Sequence, residues 1–404
     1  MPHPSPPGRA GGTPLFFLAV RACGLAAWLL AGAGPSVGQA ALPKAPAPKA
    51  TPAPQGRTTV SFAQGFTITY AGNCKVVTIR SPFEAKARAT SYLLVPRGTA
   101  RPVGYPGAIV IQTPIRSLVG LSSMHVALAD FLGAADLLVG LGSLKYASAP
   151  RVRQRIAEGK VFEVGEGKEL NNEFLIARHP DLVMSTGWPG ENLDRFQTLA
   201  AAGVPVMINS EWVETTPLAR AEWVKVMAAL LDKEDLVNRK FDQVVRDYQR
   251  LAALGRRATK RPRVVVGLPF KDVWYVPDAD SYLAQFLRDA GATYAWDQTK
   301  APNGSLALSF ETVAPVALTA DCWLQTGAAR TRAEILAQDG RYAAFAPLKS
   351  GRVYNNNRRT NAQGSNDYWE SGAVRPDLVL ADMLKILHPE LLPTWQLYYY
   401  QQLK

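Results

Sequence analysis

The sequence predicts an α/β protein in which two lobes are joined by one long helix and a β-hairpin precedes the first lobe. Short apolar runs alternate with helical segments in both halves of the chain, which is typical of β-α units around a parallel sheet. Between these halves, helix-forming residues run from Pro217 to Gly255 without a strand signal. The hairpin is indicated by Thr67–Ile79, where two alternating apolar runs flank Ala-Gly-Asn.

Residues 1–40 have the pattern of a secretory signal peptide. An apolar stretch at residues 15–33 follows a short basic start and precedes the small-residue site that ends at Ala40. Arg21 splits this stretch into pieces too short to cross a hydrocarbon core of about 30 Å, which argues against a membrane anchor. Cys23 allows a lipoprotein as an alternative, which we disfavour because Arg21 stands where a small or apolar residue belongs. We therefore predict export to the periplasm.

The formal net charge of +12 raises the question of an anionic partner. Five basic residues and no acidic one stand in the first 57 residues, so about +7 remains for the folded part. Residues 41–57 form a Pro/Ala/Lys tract that predicts an extended, solvated tether. The remaining excess is spread without a long basic run, and we expect no nucleic-acid partner.

The first lobe is predicted at residues 58–232. Its short apolar runs predict strands, and the segments between them predict helices. The predicted strands after the hairpin are Ser117–Leu121, Asp136–Val139, Asp181–Met184 and Val204–Ile208, and the predicted helices are Val126–Leu132, Asn172–Arg178 and Leu193–Ala202.

A bridging helix is predicted at residues 233–256, followed by the second lobe at residues 257–404. Twenty helical residues extend about 30 Å, which is enough to reach from one lobe to the other. The second lobe's predicted strands are Arg263–Gly267, Cys322–Gln325 and Val353–Asn355, and its predicted helices are Ser281–Ala290, Phe310–Leu318 and Leu378–Leu387.

Signals for catalysis are few. The sequence has four histidines, of which His3 leaves with the signal peptide, and it has no GxxxxGK[ST], HExxH or CxxC motif. Cys74 and Cys322 lie in different predicted lobes; export would allow a disulfide, and we favour two unpaired thiols. We expect no metal site, no cofactor and no enzymatic activity.

Polar and aromatic residues follow the predicted strands, where open α/β sheets bind ligands. The segment from Tyr354 to Glu370 gathers three asparagines, two arginines and an aromatic pair in one loop. Paired arginines in a cleft suit an anionic ligand. The predicted ligand-binding residues are Ser123, His125, Tyr146, Trp188, Trp274, Tyr275, Arg358, Arg359, Tyr368 and Trp369.

Several segments resemble, in order, the periplasmic binding proteins of ABC importers for iron chelates and cobalamin. They are Leu121–His125, Asn172–Val183, Glu214–Trp223, Asn366–Glu370 and the Pro376-Asp377 and His388-Pro389-Glu390 motifs. The resemblance implies the class III periplasmic binding protein fold, with two Rossmann-like lobes on one rigid helix and one large ligand in the cleft. It also implies a monomer that moves only slightly on binding.

The resemblance further implies two carboxylates that dock against the ABC permease in the membrane, one on each lobe. Glu173 matches the first through Asn171-Asn172-Glu173, and Glu311 matches the second through Ser309-Phe310-Glu311. Both stand at predicted helix starts, where the helix dipole favours an acidic side chain in any case.

The expected function is capture of a ferric-siderophore or corrinoid ligand and its delivery to the permease. An alternative is a periplasmic enzyme that processes haem or another metal chelate on the same scaffold. That alternative requires a titratable group in the cleft, and His125 is the histidine placed to supply it. A third hypothesis is an interaction protein without a transport role that has kept this fold.

Overall fold

The computed structural model describes residues 56–80, 88–187, 196–302 and 304–404. The predicted signal peptide and nearly all of the predicted tether lie outside these ranges. Within the described part of the chain, no helix is long and apolar enough to cross a membrane.

The fold begins with a four-stranded sheet. Its strands pair in the order β1-β2-β3-β4, with β1, β2 and β3 antiparallel and β4 parallel to β3. Gly72 has a φ of +60° in the turn between β1 and β2, a conformation that glycine adopts without steric cost. The predicted hairpin is thus one part of a larger sheet. Its strands are β1 (Phe66–Ala71), β2 (Cys74–Ile79), β3 (Thr90–Pro96) and β4 (Ile109–Thr113).

The first lobe contains a five-stranded parallel sheet in the order β7-β6-β5-β8-β9. Its strands are nearly all buried, which explains their short continuous apolar runs. The elements are β5 (Leu118–Gly120), α1 (Ser123–Phe131), β6 (Leu138–Leu141), α2 (Pro150–Ala157), β7 (Phe162–Glu163), α3 (Asn172–Arg178), β8 (Leu182–Ser185), α4 (Gln197–Ala201) and β9 (Val206–Ile208).

Three helices follow this sheet: α5 (Pro217–Glu222), α6 (Val224–Leu231) and α7 (Glu234–Arg257). The run of helix formers is therefore interrupted, since Asp232 adopts a left-handed conformation with a φ of 54°. Helix α7 has 24 residues, with acidic residues in its first turn and basic residues in its last, as the helix dipole favours.

Helix α7 contacts both lobes. Near its start, the Lys240 ammonium donates a hydrogen bond to the carbonyl oxygen of Phe131 at 2.6 Å, at the end of α1. Farther along, the Tyr248 hydroxyl donates to the Asp289 carboxylate at 2.6 Å, in the second lobe. The helix predicted at residues 233–256 thus corresponds to α7, and its two ends lie on different lobes.

The second lobe has a five-stranded sheet in the order β12-β10-β14-β15-β16, in which only β16 is antiparallel to its neighbour. A separate two-stranded antiparallel sheet pairs β11 with β13. The two lobes share one hydrophobic core. The elements are β10 (Arg263–Val266), β11 (Trp274–Pro277), α8 (Tyr282–Asp289), β12 (Thr293–Tyr294), β13 (Ser305–Leu308), α9 (Phe310–Ala317), β14 (Cys322–Leu324), α10 (Arg332–Gln338), α11 (Ala346–Ser350), β15 (Val353–Asn355), α12 (Ser371–Val374), α13 (Pro376–Leu387) and β16 (Gln401–Gln402).

The buried carboxylate of Glu222 connects the segment before β1 to the helices between the lobes through hydrogen bonds. Glu222 of α5 is fully buried and accepts hydrogen bonds from the backbone N–H groups of Ser61, Phe62 and Ala63 at 2.9, 2.6 and 2.7 Å. It also pairs with the Lys225 ammonium at 2.8 Å. These partners compensate the cost of burying the charge, so the N-terminal sheet is an integral layer of the fold.

Candidate ligand-binding site

A cluster of polar and aromatic side chains joins the carboxyl end of β9 to the second lobe. We call it the Arg220 cluster; it consists of Glu211, Arg220, Tyr282, Gln325 and Tyr368. The Arg220 guanidinium lies 3.6 Å from the Glu211 carboxylate and 5.0 Å from the centre of the Tyr282 ring, at the start of α8. Gln325, just after β14, donates a hydrogen bond to the Tyr368 hydroxyl at 3.1 Å. The cluster therefore brings both lobes together at the ends of their strands.

Arg220 is incompletely paired within this cluster. Its side chain is 21% exposed, and its Nε is buried without a hydrogen-bond partner among the described residues. The pKa of Glu211 is raised overall, because the effect of burial exceeds the opposing effect of the nearby Arg220. Glu211 also accepts a hydrogen bond from the Asn209 amide at 2.7 Å, so its charge is shared between two donors. An arginine in this setting retains donors for a further anion.

Buried polar atoms that have no hydrogen-bond partner within the described ranges also follow strands of both sheets. In the first lobe they are the Asn209 Oδ1 and Ser210 Oγ atoms, directly after β9. In the second lobe they are Thr326 Oγ1, after β14, and Asn356 Nδ2, after β15. A buried polar group without a partner is costly, and a ligand or water supplies the missing bond in most proteins. These four side chains are thus candidate ligand contacts that our sequence reasoning missed, although each closely follows a predicted strand.

Ser123 and Tyr146 lie near these strand ends in the first lobe. Ser123 is the first residue of α1 and is partly exposed, with Ser122 as the N-cap. The Tyr146 ring is partly exposed, and the Lys145 ammonium lies 4.7 Å from its centre. Trp188, predicted at the same edge, lies outside the described residues.

Two predicted ligand residues are core residues. His125 is fully buried in the first turn of α1, 3.0 Å from where a Cβ on Gly120 would stand. Trp274 is also fully buried; its ring packs beside Trp323, and its N–H donates to the carbonyl oxygen of Val266. Both side chains are enclosed by the core in this structure, and a ligand contact by either of them stays a prediction.

The other predicted ligand-binding residues of the second lobe differ in exposure and in hydrogen bonding. Tyr275 and Trp369 are 45% and 57% exposed, whereas Tyr368 is buried and belongs to the Arg220 cluster. Arg358 is exposed. Arg359 is already paired, since its Nε donates to the Asp367 carboxylate at 2.6 Å and its guanidinium lies 4.4 Å from the centre of the Tyr398 ring.

The two predicted docking carboxylates have matching local geometry. Glu173 is exposed in the first turn of α3, where the Asn171 side chain caps the helix. Glu311 is exposed in the first turn of α9, where the Ser309 side chain is the cap. Hydrogen bonds from its own backbone N–H and from Ser309 lower the pKa of the Glu311 carboxyl, and Arg341 at 3.9 Å lowers it less. Both side chains are available to a partner.

Two cavities lie elsewhere in the molecule. One, of about 320 Å³, is lined by Gln64, Glu214 and their neighbours beside the N-terminal sheet. The other, of about 370 Å³, lies against the first-lobe sheet and is lined by residues that include Phe174 and Arg178. Neither is lined by a member of the Arg220 cluster, so the candidate site does not depend on them.

Two mainly parallel sheets that are separated in the chain by a long helix, with polar residues after strands of both, are typical of an α/β binding protein. Residues 118–359 match the family described as periplasmic binding protein, and the chain belongs to that family. The predicted class III fold is confirmed. The family is one of substrate-binding proteins.

One curated relative is an uncharacterized lipoprotein of Methanocaldococcus jannaschii, which is 26% identical over 291 residues, or 70% of this chain and 67% of the relative. A possible iron-binding (periplasmic solute-binding) protein of Staphylococcus epidermidis aligns with a TM-score of 0.52 and 18% identity, over 68% of this chain and 100% of that one. The periplasmic heme-binding protein of Vibrio cholerae aligns with a TM-score of 0.50 and 18% identity, over 65% and 98%. At these identities the solved structures show the fold alone.

Proposed function

We propose that this protein is an exported solute-binding protein that captures a ferric-siderophore or corrinoid ligand between its lobes and delivers it to an ABC permease. Family membership supports the binding role, and two structural neighbours described as iron-binding and heme-binding support a metal chelate as the ligand. The observation that carries the proposal is the incompletely paired Arg220, between strand ends that bear unpartnered polar atoms in both lobes.

In this proposal, Arg220 compensates the negative charge of the ligand. Ferric chelates, corrinoids and haem all carry anionic groups, and a partly desolvated guanidinium forms strong charge-assisted hydrogen bonds with them. Asn209, Ser210, Thr326 and Asn356 would satisfy the ligand's other polar atoms. The exposed rings of Tyr275 and Trp369, with Tyr146 and Trp188, are the proposed aromatic contacts.

For delivery of the ligand, we propose that Glu173 and Glu311 dock the protein on the permease by pairing with basic residues there. We propose that the mature protein acts as a monomer in the periplasm after removal of residues 1–40. A lipid anchor at Cys23 is the alternative, and the lipoprotein relative supports it. The enzyme alternative depended on His125 in the cleft, and His125 lies in the core.

Substitution of Arg220 tests the ligand assignment. Arg220→Ala should weaken binding of the preferred ligand about 10- to 100-fold, because a charge-assisted hydrogen bond contributes roughly 1.5–3 kcal/mol. Arg220→Lys should restore part of the affinity, since it keeps the charge without the planar fork. Binding would be measured by calorimetric titration with a ferric siderophore, cobalamin and haem.

Arg341→Ala is the matched control, since Arg341 is exposed and pairs with Asp339. It should change ligand affinity less than twofold. Equal affinities for the wild-type protein and Arg220→Ala, with any of the three ligands that binds, would exclude Arg220 as the charge-compensating residue.

A further inference from the structure

A set of hydrogen bonds connects the segment after β15 in the second lobe to the loop before α2 in the first. We call it the inter-lobe brace; it consists of Asn361, Ser365 and Glu370 against Tyr146–Ala149. The Asn361 amide donates to the Ala147 carbonyl at 3.0 Å, and the Ser365 hydroxyl donates to the Tyr146 carbonyl at 2.8 Å. The hydroxyls of Ser148 and Ser365 lie 3.0 Å apart.

Glu370 is the centre of this brace. It is 1% exposed, and its two carboxylate oxygens accept hydrogen bonds from the backbone N–H groups of Ser148 and Ala149, each at 2.7 Å. Helix α2 has Ala149 at its N-cap and Pro150 at its first position, so its own sequence supplies no side-chain cap. The second lobe therefore provides the acceptor that the start of a first-lobe helix lacks.

Two other carboxyl groups, those of Asp367 and Asp130, act on Glu370. Burial raises the pKa of Glu370 to about 8, and the Asp367 and Asp130 carboxylates raise it too, whereas the N–H groups of Ser148 and Ala149 lower it. Asp130 belongs to α1 of the first lobe, so carboxyl groups from both lobes face each other here.

Two cations offset part of this charge. Arg359 pairs with Asp367 at 2.6 Å, and Lys240 of α7 lowers the pKa of Asp130, although burial raises it overall. Among the described residues, neither Arg359 nor Lys240 forms an ion pair with Glu370. Separation of the lobes would return Glu370 to water, where its pKa would fall to the ordinary value of 4.5.

We propose that Glu370 is a positioning residue that sets the separation of the two lobes through the inter-lobe brace, and thereby the width of the ligand cleft. This inference rests on the proposed function only where it concerns the ligand; the brace itself is a contact between lobes. A fixed separation would favour ligands of one size, because a wider separation would require these five hydrogen bonds to break.

The sign of the pH effect follows from the raised pKa. A carboxyl with a higher pKa in the braced state binds its proton more tightly there than in the separated state. The brace is therefore strongest below about pH 4.5, weakens as the pH rises to about 8, and changes little above that value. Glu370→Gln removes this titration and keeps the shape of the side chain, but its amide nitrogen is a donor, so one of the two backbone N–H groups loses its acceptor at every pH.

The test measures lobe separation in the full mature chain without ligand. Spin labels would be attached at Glu158→Cys in the first lobe and Lys349→Cys in the second, both exposed positions; the two native cysteines of the folded part are buried. Glu370→Ala should lengthen and broaden the distance distribution, and the Ser148 and Ala149 amides should exchange hydrogen about tenfold faster or more. The wild-type distribution should widen from pH 5 to pH 8, whereas that of Glu370→Gln should not respond to pH in this range.

The control is Glu390→Gln, which removes an exposed carboxylate of the second lobe outside the brace and should leave the distance unchanged. Far-ultraviolet circular dichroism would verify that each variant folds. A distribution identical to wild type in both Glu370→Ala and Glu370→Gln would overturn the proposal, as would a wild-type distribution that is independent of pH. This readout needs neither ligand nor permease, so a failure of the transport proposal would leave it interpretable.

Discussion

Charge reversal of Glu173 and Glu311 together should abolish ligand uptake while leaving the ligand's affinity for the protein unchanged. Each carboxylate is exposed in the first turn of a helix, one on each lobe, and neither belongs to the Arg220 cluster. In our proposal they pair with cations of the permease, and reversal would turn two attractions into two repulsions, each costing several kcal/mol. Uptake should therefore fall about 100-fold or more, as measured with a radiolabelled ligand in cells that express the permease.

Each single reversal should have a smaller effect than the double reversal, because one docking contact would remain. Glu390→Lys is the matched control: it reverses an exposed second-lobe carboxylate outside both helix starts and should leave uptake near the wild-type rate. Undiminished uptake by the double variant would eliminate the docking proposal. Lost ligand affinity in that variant would show that these residues act in binding instead.

Acid should destabilise the protein through His125. Burial lowers the pKa of His125 to about 3 from an ordinary value of 6.5, and neither ring nitrogen has a hydrogen-bond partner among the described residues. The unfolded chain therefore binds a proton below pH 6.5 that the folded chain does not bind until about pH 3. At pH 4 this group should lower the free energy of unfolding by about 3 kcal/mol relative to pH 8.

Urea unfolding across this pH range would measure the effect, and His125→Leu should remove the same share of the pH dependence. His179→Asn is the matched control; His179 is exposed, and asparagine tolerates its left-handed backbone with a φ of 45°. An identical pH dependence in wild type and His125→Leu would show that His125 is not held neutral by burial.

The α/β alternation was predictable because most strands and helices carry their own local pattern. Residues 172–178 were predicted as a helix and form α3, and the Asn171 side chain caps its start. Helix α2 was missed because three of its eight residues are arginines and only Val152 is buried, which gives a weak apolar signal. Strands β7 and β12 have two residues each and are too short to produce a pattern.

The candidate site was less predictable because its geometry depends on residues far apart in the chain. Arg220 lies in the segment Glu214–Trp223, which carries part of the family resemblance but gave no local reason to assign a ligand role to this arginine. Its surroundings emerge only where Glu211 and Tyr282 approach it. Trp274 and Tyr275 are adjacent on one strand but point to opposite faces, so the first is core and the second is exposed. Residue type alone could not decide which of the two meets a ligand.

The loop from Tyr354 to Glu370 shows the same limit. Its polar composition was interpreted as ligand recognition, yet its residues also contact loop 146–149, more than 200 positions earlier in the chain. A partner at that sequence distance leaves no local signal. The composition of the loop was therefore informative about hydrogen bonding but not about the identity of the partner.

Native mass spectrometry of the protein purified from its own host tests the central claim most directly. We expect one ligand per chain. Its mass should be that of a ferric siderophore or a corrinoid, and its visible absorption band should be that of the same compound. A ligand-free chain that also fails to take up a ferric siderophore, cobalamin or haem at equimolar concentration would contradict it.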